Sequence, residues 1–594
     1  MTPRRMMWIL LAIHAVLLAV SIPDYLVSID SGYHVSLARY YAEHGTAFWD
    51  HINWGPAGRP NLQGPALHFC IAALGKLLGG TGDAFVLANA IWAFLQWAAA
   101  MLTVVFFARL YGGDWAALFA AALISGSAFA SYSFAVGIPS GWTFILAPWA
   151  IHFFLKDRLA PAALATSLAI YFHLASYAVV PFGIVVAAVI ARRWRSLLIV
   201  GAATVLITMP YTIHFLRNLA WYQGRKGHTA EEWTPLIYLA AIGGLAPLVR
   251  HPRKHVFLLA WVAAPAAWLV QDYTRFLMQA TLAMSVIGGI WIVRLGERMR
   301  GRWRAAFATA VVLAATLAPL SVPSLAGEAL WAIGIRYPRF LDWNEARDIA
   351  GVISRAGLTN RLISVYNPTQ GVRFAVYAPL QFERGHWVEV QPKHDPASDL
   401  SVGVKVYVMP LPPGDPVLGE FAVSGLVRVH GGKLLSVVTL PRSGTPEEVA
   451  PEFARVIATE ARWLSDHAVN HRMAPVTEFF SEKKLDERRR VQLEQRTHTG
   501  RLQLAALVYA YALEATDPAA ARGMRGAARG FGDMANFLGD DATLDFTSPT
   551  RHELMRRNMA TLADAAARFG RNPGDIGQLG AALRQLFDQF FSAA

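Results

Sequence analysis

The chain has 594 residues, 54% of them hydrophobic and 16% charged, with a mean hydropathy of +0.33; a soluble domain is about 25% charged, so this is the composition of a membrane protein. The net charge of +13 does not signal nucleic-acid binding, because Lys and Arg fall in short runs beside apolar segments rather than along one face. A single cysteine, Cys70, excludes an internal disulfide framework and a metal-thiolate cluster.

The first apolar segment, residues 6–27, follows Arg4 and Arg5. A cleaved signal peptide with "AVS" as its cut site is the competing reading. The ten further spans and the lack of a clear small-residue site favour an uncleaved first helix.

Next comes the loop 28–83, the most informative stretch. "DSGYHVSLARYYAEHG" has helical character from about Asp30 to Glu43, and a period of 3.6 places Asp30, His34, Leu37 or Ala38, and Tyr41 on one face. Farther on, "FWDHINWGPAGRPNLQGPALHF" adds Asp50, His51, Arg59 and His68 among Trp49, Trp54 and several Pro and Gly. A long loop rich in aromatic and ionisable residues carries function more often than a plain connector does. The competing reading makes Asp30 a helix cap and the two tryptophans part of the interfacial belt.

A bilayer crossing needs about 20 mostly apolar residues, fewer inside a bundle, and about eleven segments qualify. After the first they run 84–108, 114–133, 140–155, 159–174, 175–191, 196–216, 235–249, 255–270, 274–293 and 303–322. The pair 159–174 and 175–191 is cut from one continuous apolar stretch. Alternate ends carry Arg4 and Arg5, Arg109, Lys156 and Arg158, Arg192, Arg193 and Arg195, Arg250, Arg253 and Lys254, and a run from Arg294 to Arg304. By the positive-inside rule these ends are cytoplasmic. The exceptions are Arg217, Arg225 and Lys226 in one outer loop and Arg275 beside Asp272. The expected layout is a multi-pass protein of the inner (plasma) membrane, N-terminus cytoplasmic, with loop 28–83 and everything after about residue 325 on the outer face. His173, in "LAIYFHLASY", lies near the outer end of its span, where a polar group in an apolar segment is a candidate for function.

The outer region divides in two. Over 325–445, helical "DWNEARDIAGVISRAG" alternates with the β-rich runs "LISVY", "VKVYVMP", "LVRVH" and "LLSVVTL", the pattern of a small α/β domain, with "PLPPGDP" as a turn-rich loop. Over 446–594 the strand signals end, and five or six amphipathic helices are expected. "SEKKLDERRRVQLEQR" reads as a solvated helix face. No Walker A loop, GxSxG elbow or HExxH pair occurs in the chain.

An Asp just after the first span, then "YH" and "EHG", then a Pro- and Gly-rich segment and "GPALHFCIAALGKLLGG", resembles the GT-C superfamily of integral-membrane glycosyltransferases. "ARLYGG" and "DYTRFLMQATLAMSVIGGIWIV" extend the resemblance over residues 1–324, the latter looking like the Arg-Phe/Tyr-Leu helix of enzymes that use polyprenyl-phosphate sugars. The resemblance implies transfer of a sugar from a polyprenyl phosphate or diphosphate to a lipid, glycan or protein acceptor on the outer face. It implies Asp30 as the catalytic residue and Arg275 as a phosphate ligand. Arg217, Arg225, Lys226 and His228 lie on the same outer face and suit a diphosphate or, equally, membrane lipid headgroups. His34, Asp50, His51 and Arg59 complete the candidate binding set, with Asp50 the reserve carboxylate.

The first loop is also similar to that of oligosaccharyltransferase catalytic subunits, which implies a divalent metal, Mg or Mn, at Asp30. The matching later loop, "SYSFAVGIPSGW", has no acid, however, and "FLDWNEA" only faintly echoes the WWDYG acceptor motif. The mannosyl- and aminoarabinosyl-transferase branch has Asp-Glu in the first loop, whereas Ser31 follows Asp30 here. Two readings from other classes stay open: a transporter or scramblase, against which the halves show no matched broken helices, and an inactive GT-C-like scaffold.

Overall fold

The structure is a computed structural model of the chain and describes residues 2–25, 31–45, 48–53, 55, 58–125, 137, 139–222, 235–268, 273–297, 306–307, 309–310, 343–365, 371–382, 406–409, 422–428, 434–439, 444–467, 482–539 and 549–592. It divides into two compact units. One comprises residues 1–49, 60–339 and 387–391, and the other 50–59, 340–386 and 392–594.

The first unit is helical. Its elements are α1 (Pro3–Tyr25), α2 (Ser31–His44), α3 (Ala66–Leu77), α4 (Gly82–Ser125), α5 (Pro139–Leu155), α6 (Leu159–Phe172), α7 (Ser176–Ala191), α8 (Trp194–Arg217), α9 (Pro235–Arg250), α10 (Val256–Ala263) and α11 (Tyr273–Glu297). Proline opens α1, α5 and α9, where its missing N–H costs nothing and its fixed φ suits the first turn. The expected spans 84–108 and 114–133 meet within α4, which breaks at Gly113 (φ 80°, ψ −175°). That is left-handed backbone that a residue with a Cβ rarely adopts. The expected cut in the 159–191 stretch falls at His173, whose extended backbone ends α6.

Among the described residues, three helical stretches are long and apolar enough to cross a membrane by length and composition, Gly82–Ser125, Trp194–Arg217 and Ala280–Glu297. α11 packs along α4 and against α9, and α5 packs against α6 and α7. A core including Trp97, Phe107, Phe144, Phe154, Phe257 and Trp261 lies among these helices. Of the expected span 303–322, only residues 306–307 and 309–310 are described.

The second unit holds a five-stranded sheet and a helical bundle. α12 (Trp343–Arg355) buries Ala346, Ile349, Ala350 and Ile353, the i, i+3, i+4, i+7 stripe of a one-sided helix. β3 (Leu362–Val365) lies parallel to both β4 (Gln381–Phe382) and β5 (Val406–Met409). β7 (Leu434–Thr439) runs antiparallel to β5 and to β6 (Ala422–Arg428), giving the order β4-β3-β5-β7-β6. The sequence runs "LISVY", "VKVYVMP", "LVRVH" and "LLSVVTL" each contain or overlap one of these strands, and β4 is too short to be read from sequence.

α13 (Pro446–Asp466), α14 (Glu482–Leu513), α15 (Pro518–Gly539), α16 (Pro549–Arg571) and α17 (Ile576–Ser592) form the bundle. α13 starts with a reciprocal capping box. The Thr445 hydroxyl accepts from the Glu448 N–H while the Glu448 carboxylate accepts from the Thr445 N–H.

Candidate functional site

In the first unit a buried polar cluster is built on α2 and α3. α2 begins at Ser31, the residue after Asp30, and buries Tyr33, His34 and Tyr41. α3 is an apolar helix with one imidazole in its first turn, His68, which is fully buried. His34 Nδ1 and His68 Nε2 are 3.0 Å apart. Tyr33 meets both rings edge-on, at 5.5 and 6.2 Å between centroids, and Tyr41 lies 5.4 Å from His68. The face expected to carry His34 and Tyr41 is therefore the face that receives α3.

Burial is the main reason the His68 imidazole sits well below the ordinary histidine range. The neighbouring His34 adds to the effect, and a contact with the Gly64 carbonyl opposes it. His68 Nδ1 is buried and makes no hydrogen bond among the described residues.

The segment between α2 and α3 is held by its own polar atoms and by α8. Asn61 donates through Nδ2 to Tyr41 Oη at 2.9 Å, accepts the Gln63 N–H on Oδ1 at 3.1 Å and donates its own N–H to the Phe48 carbonyl at 2.8 Å. Its carbonyl lies 2.9 Å from His214 Nε2 on α8. A carbonyl only accepts, so His214 carries its proton on Nε2. Its Nδ1 then accepts from Asn218 Nδ2 at 3.3 Å. One turn earlier on α8, Tyr211 Oη donates to the Leu62 carbonyl at 2.5 Å. The Tyr211 ring lies 6.0 Å from Tyr171 and 6.1 Å from Tyr177. Gly64 then passes so close to α6 that a Cβ there would sit 2.3 Å from the Tyr171 carbonyl oxygen. Tyr211 and His214 were missed from sequence because α8 reads as a plain span. The available signal was its buried stripe Val200, Thr204, Thr208 and Tyr211, too polar for a lipid-facing helix.

A second buried group belongs to the other unit. Asp50 is wholly buried: Oδ1 accepts the main-chain N–H of Ile52 (3.0 Å) and Asn53 (3.1 Å), while Oδ2 accepts Asn53 Nδ2 (2.8 Å) and Arg59 Nε (3.3 Å). Arg59 is 1% exposed. This is a loop closed on an ion pair, between β1 (Trp49–Asp50) and β2 (Arg59–Pro60).

The remaining candidates are scattered. His51 is exposed and Arg217 is the exposed last residue of α8. Arg275 is in the first turn of α11, with its side chain outside the described residues, and Asp30, Trp54, Arg225, Lys226, His228 and Asp272 lie outside them altogether. His173 is buried and accepts the Ala175 N–H on Nδ1 at 3.2 Å. For a divalent metal, the described residues contain no group of three His, Cys, Asp or Glu side chains. The His34 and His68 nitrogens named above face each other rather than a shared third atom.

No family model matches the chain, and no curated protein matches it closely. Among solved structures it is similar to ArnT from Cupriavidus metallidurans in the apo state, with 16% identity over 72% of this chain and 97% of that one and a TM-score of 0.48. The same figures hold for that protein bound to undecaprenyl phosphate. It is also similar to the Archaeoglobus fulgidus oligosaccharyltransferase in the apo form, with 13% identity over 64% of each chain and a TM-score of 0.46.

Proposed function

We propose that the chain is a membrane glycosyltransferase. It moves a sugar from a polyprenyl-phosphate or polyprenyl-diphosphate donor to a lipid, glycan or protein acceptor on the outer face, with Asp30 as general base. The observation that carries this reading is the buried pair formed by His34, on the helix that starts directly after Asp30, and His68 of α3. Two imidazoles locked together by hydrogen bonding, beside a carboxylate in sequence, are the equipment of proton transfer.

In the transfer, the carboxylate takes the proton of the acceptor hydroxyl as that oxygen attacks the anomeric carbon, and the bond to the carrier phosphate breaks. The departing phosphate gains negative charge, which a guanidinium stabilises through two parallel hydrogen bonds. We assign that task to Arg275, with Arg217, Arg225 and Lys226 drawing the anionic carrier to the outer face. Asp50 and Arg59 we assign to holding the loop, because all four close donors on the carboxylate come from the loop itself.

The test is transfer in membranes supplied with native polyprenyl-linked sugars, comparing wild type with Asp30→Asn at matched expression. Loss of about 10²- to 10⁴-fold in rate is the result a general base gives. Full activity in the variant removes Asp30 from the chemistry and makes it a helix cap. A chelator arm separates the routes: loss of transfer on chelation alone favours the metal-using oligosaccharyltransferase-like reaction.

A further inference from the structure

The transfer scheme rests on the His34–His68 pair but gives His68, a buried imidazole of the first unit, no step of its own. His68 lies in the first turn of an otherwise apolar helix, with no exposed surface, and its Nε2 is 3.0 Å from His34 Nδ1. Two bare nitrogens at that distance repel, and two N–H groups collide, so one proton lies between the rings and each ring's tautomer dictates the other's.

Which ring donates follows from the surroundings. The backbone group that meets the His68 ring is the Gly64 carbonyl, which accepts and never donates, and with Nε2 turned to His34 the nitrogen left for it is Nδ1. A proton on Nδ1 meets that oxygen favourably, whereas a lone pair there faces another lone pair. The neutral ring with its proton on Nδ1 has a bare Nε2. The Tyr33 and Tyr41 rings lie against the His68 ring, and Asn61 donates to Tyr41 Oη. His68 is therefore fixed from α2, from α3 itself and from the connecting segment, with its acceptor nitrogen aimed at His34.

We infer that His68 is a positioning residue. By accepting the Nδ1 proton of His34 it sets that ring's orientation and makes Nε2 the nitrogen through which His34 exchanges a proton or hydrogen bond with the reacting groups. This rests on the proposed transfer reaction, although the hydrogen bond it requires is measurable without it.

The experiment uses the full-length protein in lipid bilayers with ¹⁵N-labelled histidine, as wild type, His68→Gln and His68→Met. Glutamine keeps an acceptor within reach of His34, and methionine fills the space without a comparable one. Solid-state NMR of the His34 signal should show a proton on Nδ1 in wild type and His68→Gln, and a shift toward the Nε2-protonated form in His68→Met. Transfer kinetics should show kcat reduced roughly tenfold to a hundredfold in His68→Met, largely restored in His68→Gln, with KM for the donor little changed. A wild-type His34 protonated on Nε2 overturns the inference, as does equal loss in both variants, which marks His68 as packing alone. Absence of transfer by wild type with any polyprenyl-linked donor defeats the proposed function instead, and the NMR result then still decides the role of His68.

Discussion

The main-chain N–H of Phe382 donates to the carbonyl of Ile52, and the N–H of Gly55 donates back to the carbonyl of Phe382, both at 2.8 Å. A piece of the first loop is thereby added to the free edge of the sheet at β4, which would otherwise present unpaired backbone groups. Three hundred or more residues separate the partners in sequence, and the Asp50–Arg59 ion pair sets the shape of the segment that reaches the edge.

Asp50→Ala removes a charge partner of the buried Arg59 and frees two main-chain donors. Breaking a buried pair from one side costs about 3–5 kcal/mol. The expected result is a large loss of stability to denaturant, with faster amide exchange at Gly55 and Phe382. Were Asp50 instead a substrate ligand, the variant would keep its stability and lose affinity for donor or acceptor.

Gly64→Ala tests the packing of the loop that joins α2 to α3. The added Cβ would lie 2.3 Å from the Tyr171 carbonyl oxygen and 2.9 Å from the Phe172 carbonyl carbon. These are main-chain atoms at the end of α6 and cannot rotate away. Overpacking of this kind costs about 1–3 kcal/mol. A thermal melt should show the loss, and an unchanged midpoint would mean that α6 and the loop do not approach this closely.

What the sequence disclosed and what it hid follow from the range of the forces involved. The α2 helix, with His34 and Tyr41 on one face, was legible because helical periodicity is local, and so was the helical character of α12. The partner of that face, His68, was only a residue of interest, since its docking depends on the Gly64 approach to α6 and on Tyr211 and His214 of α8. Asp50 and Arg59 illustrate the converse. Ionisable residues in an aromatic-rich loop give the same signal whether they serve a ligand or each other, and only burial with four short hydrogen bonds separates the cases.

The depressed proton affinity of His68 makes stability depend on pH in a definite direction. The unfolded chain takes up a proton near the ordinary histidine value of about 6.5, whereas the folded chain holds His68 neutral well below it, mainly through burial. Below that value the unfolded state binds more protons, so stability rises with pH across the window and is lost as pH falls beneath it. Thermal unfolding in detergent from about pH 8 to about pH 5 should show a falling midpoint on the acid side. His68→Gln should flatten that limb, and an identical slope in the variant would place the dependence elsewhere.

The bundle of the second unit is held by three rings from three helices. Phe453 of α13 stacks on Tyr509 of α14 at 4.4 Å, and Phe569 of α16 meets them edge-on at 6.0 and 5.7 Å. Phe569 is fully buried, in a core it shares with Leu562, Phe531 and Leu586. Phe569→Ala removes a buried ring from all three helices at once, at about 3–5 kcal/mol by the transfer and cavity costs of such deletions. Phe569→Leu keeps much of the volume and loses the edge-to-face contacts, so it should fall between wild type and alanine. Urea unfolding followed by tryptophan fluorescence gives the order. If alanine and leucine are equally mild, the rings do not form the shared core described here.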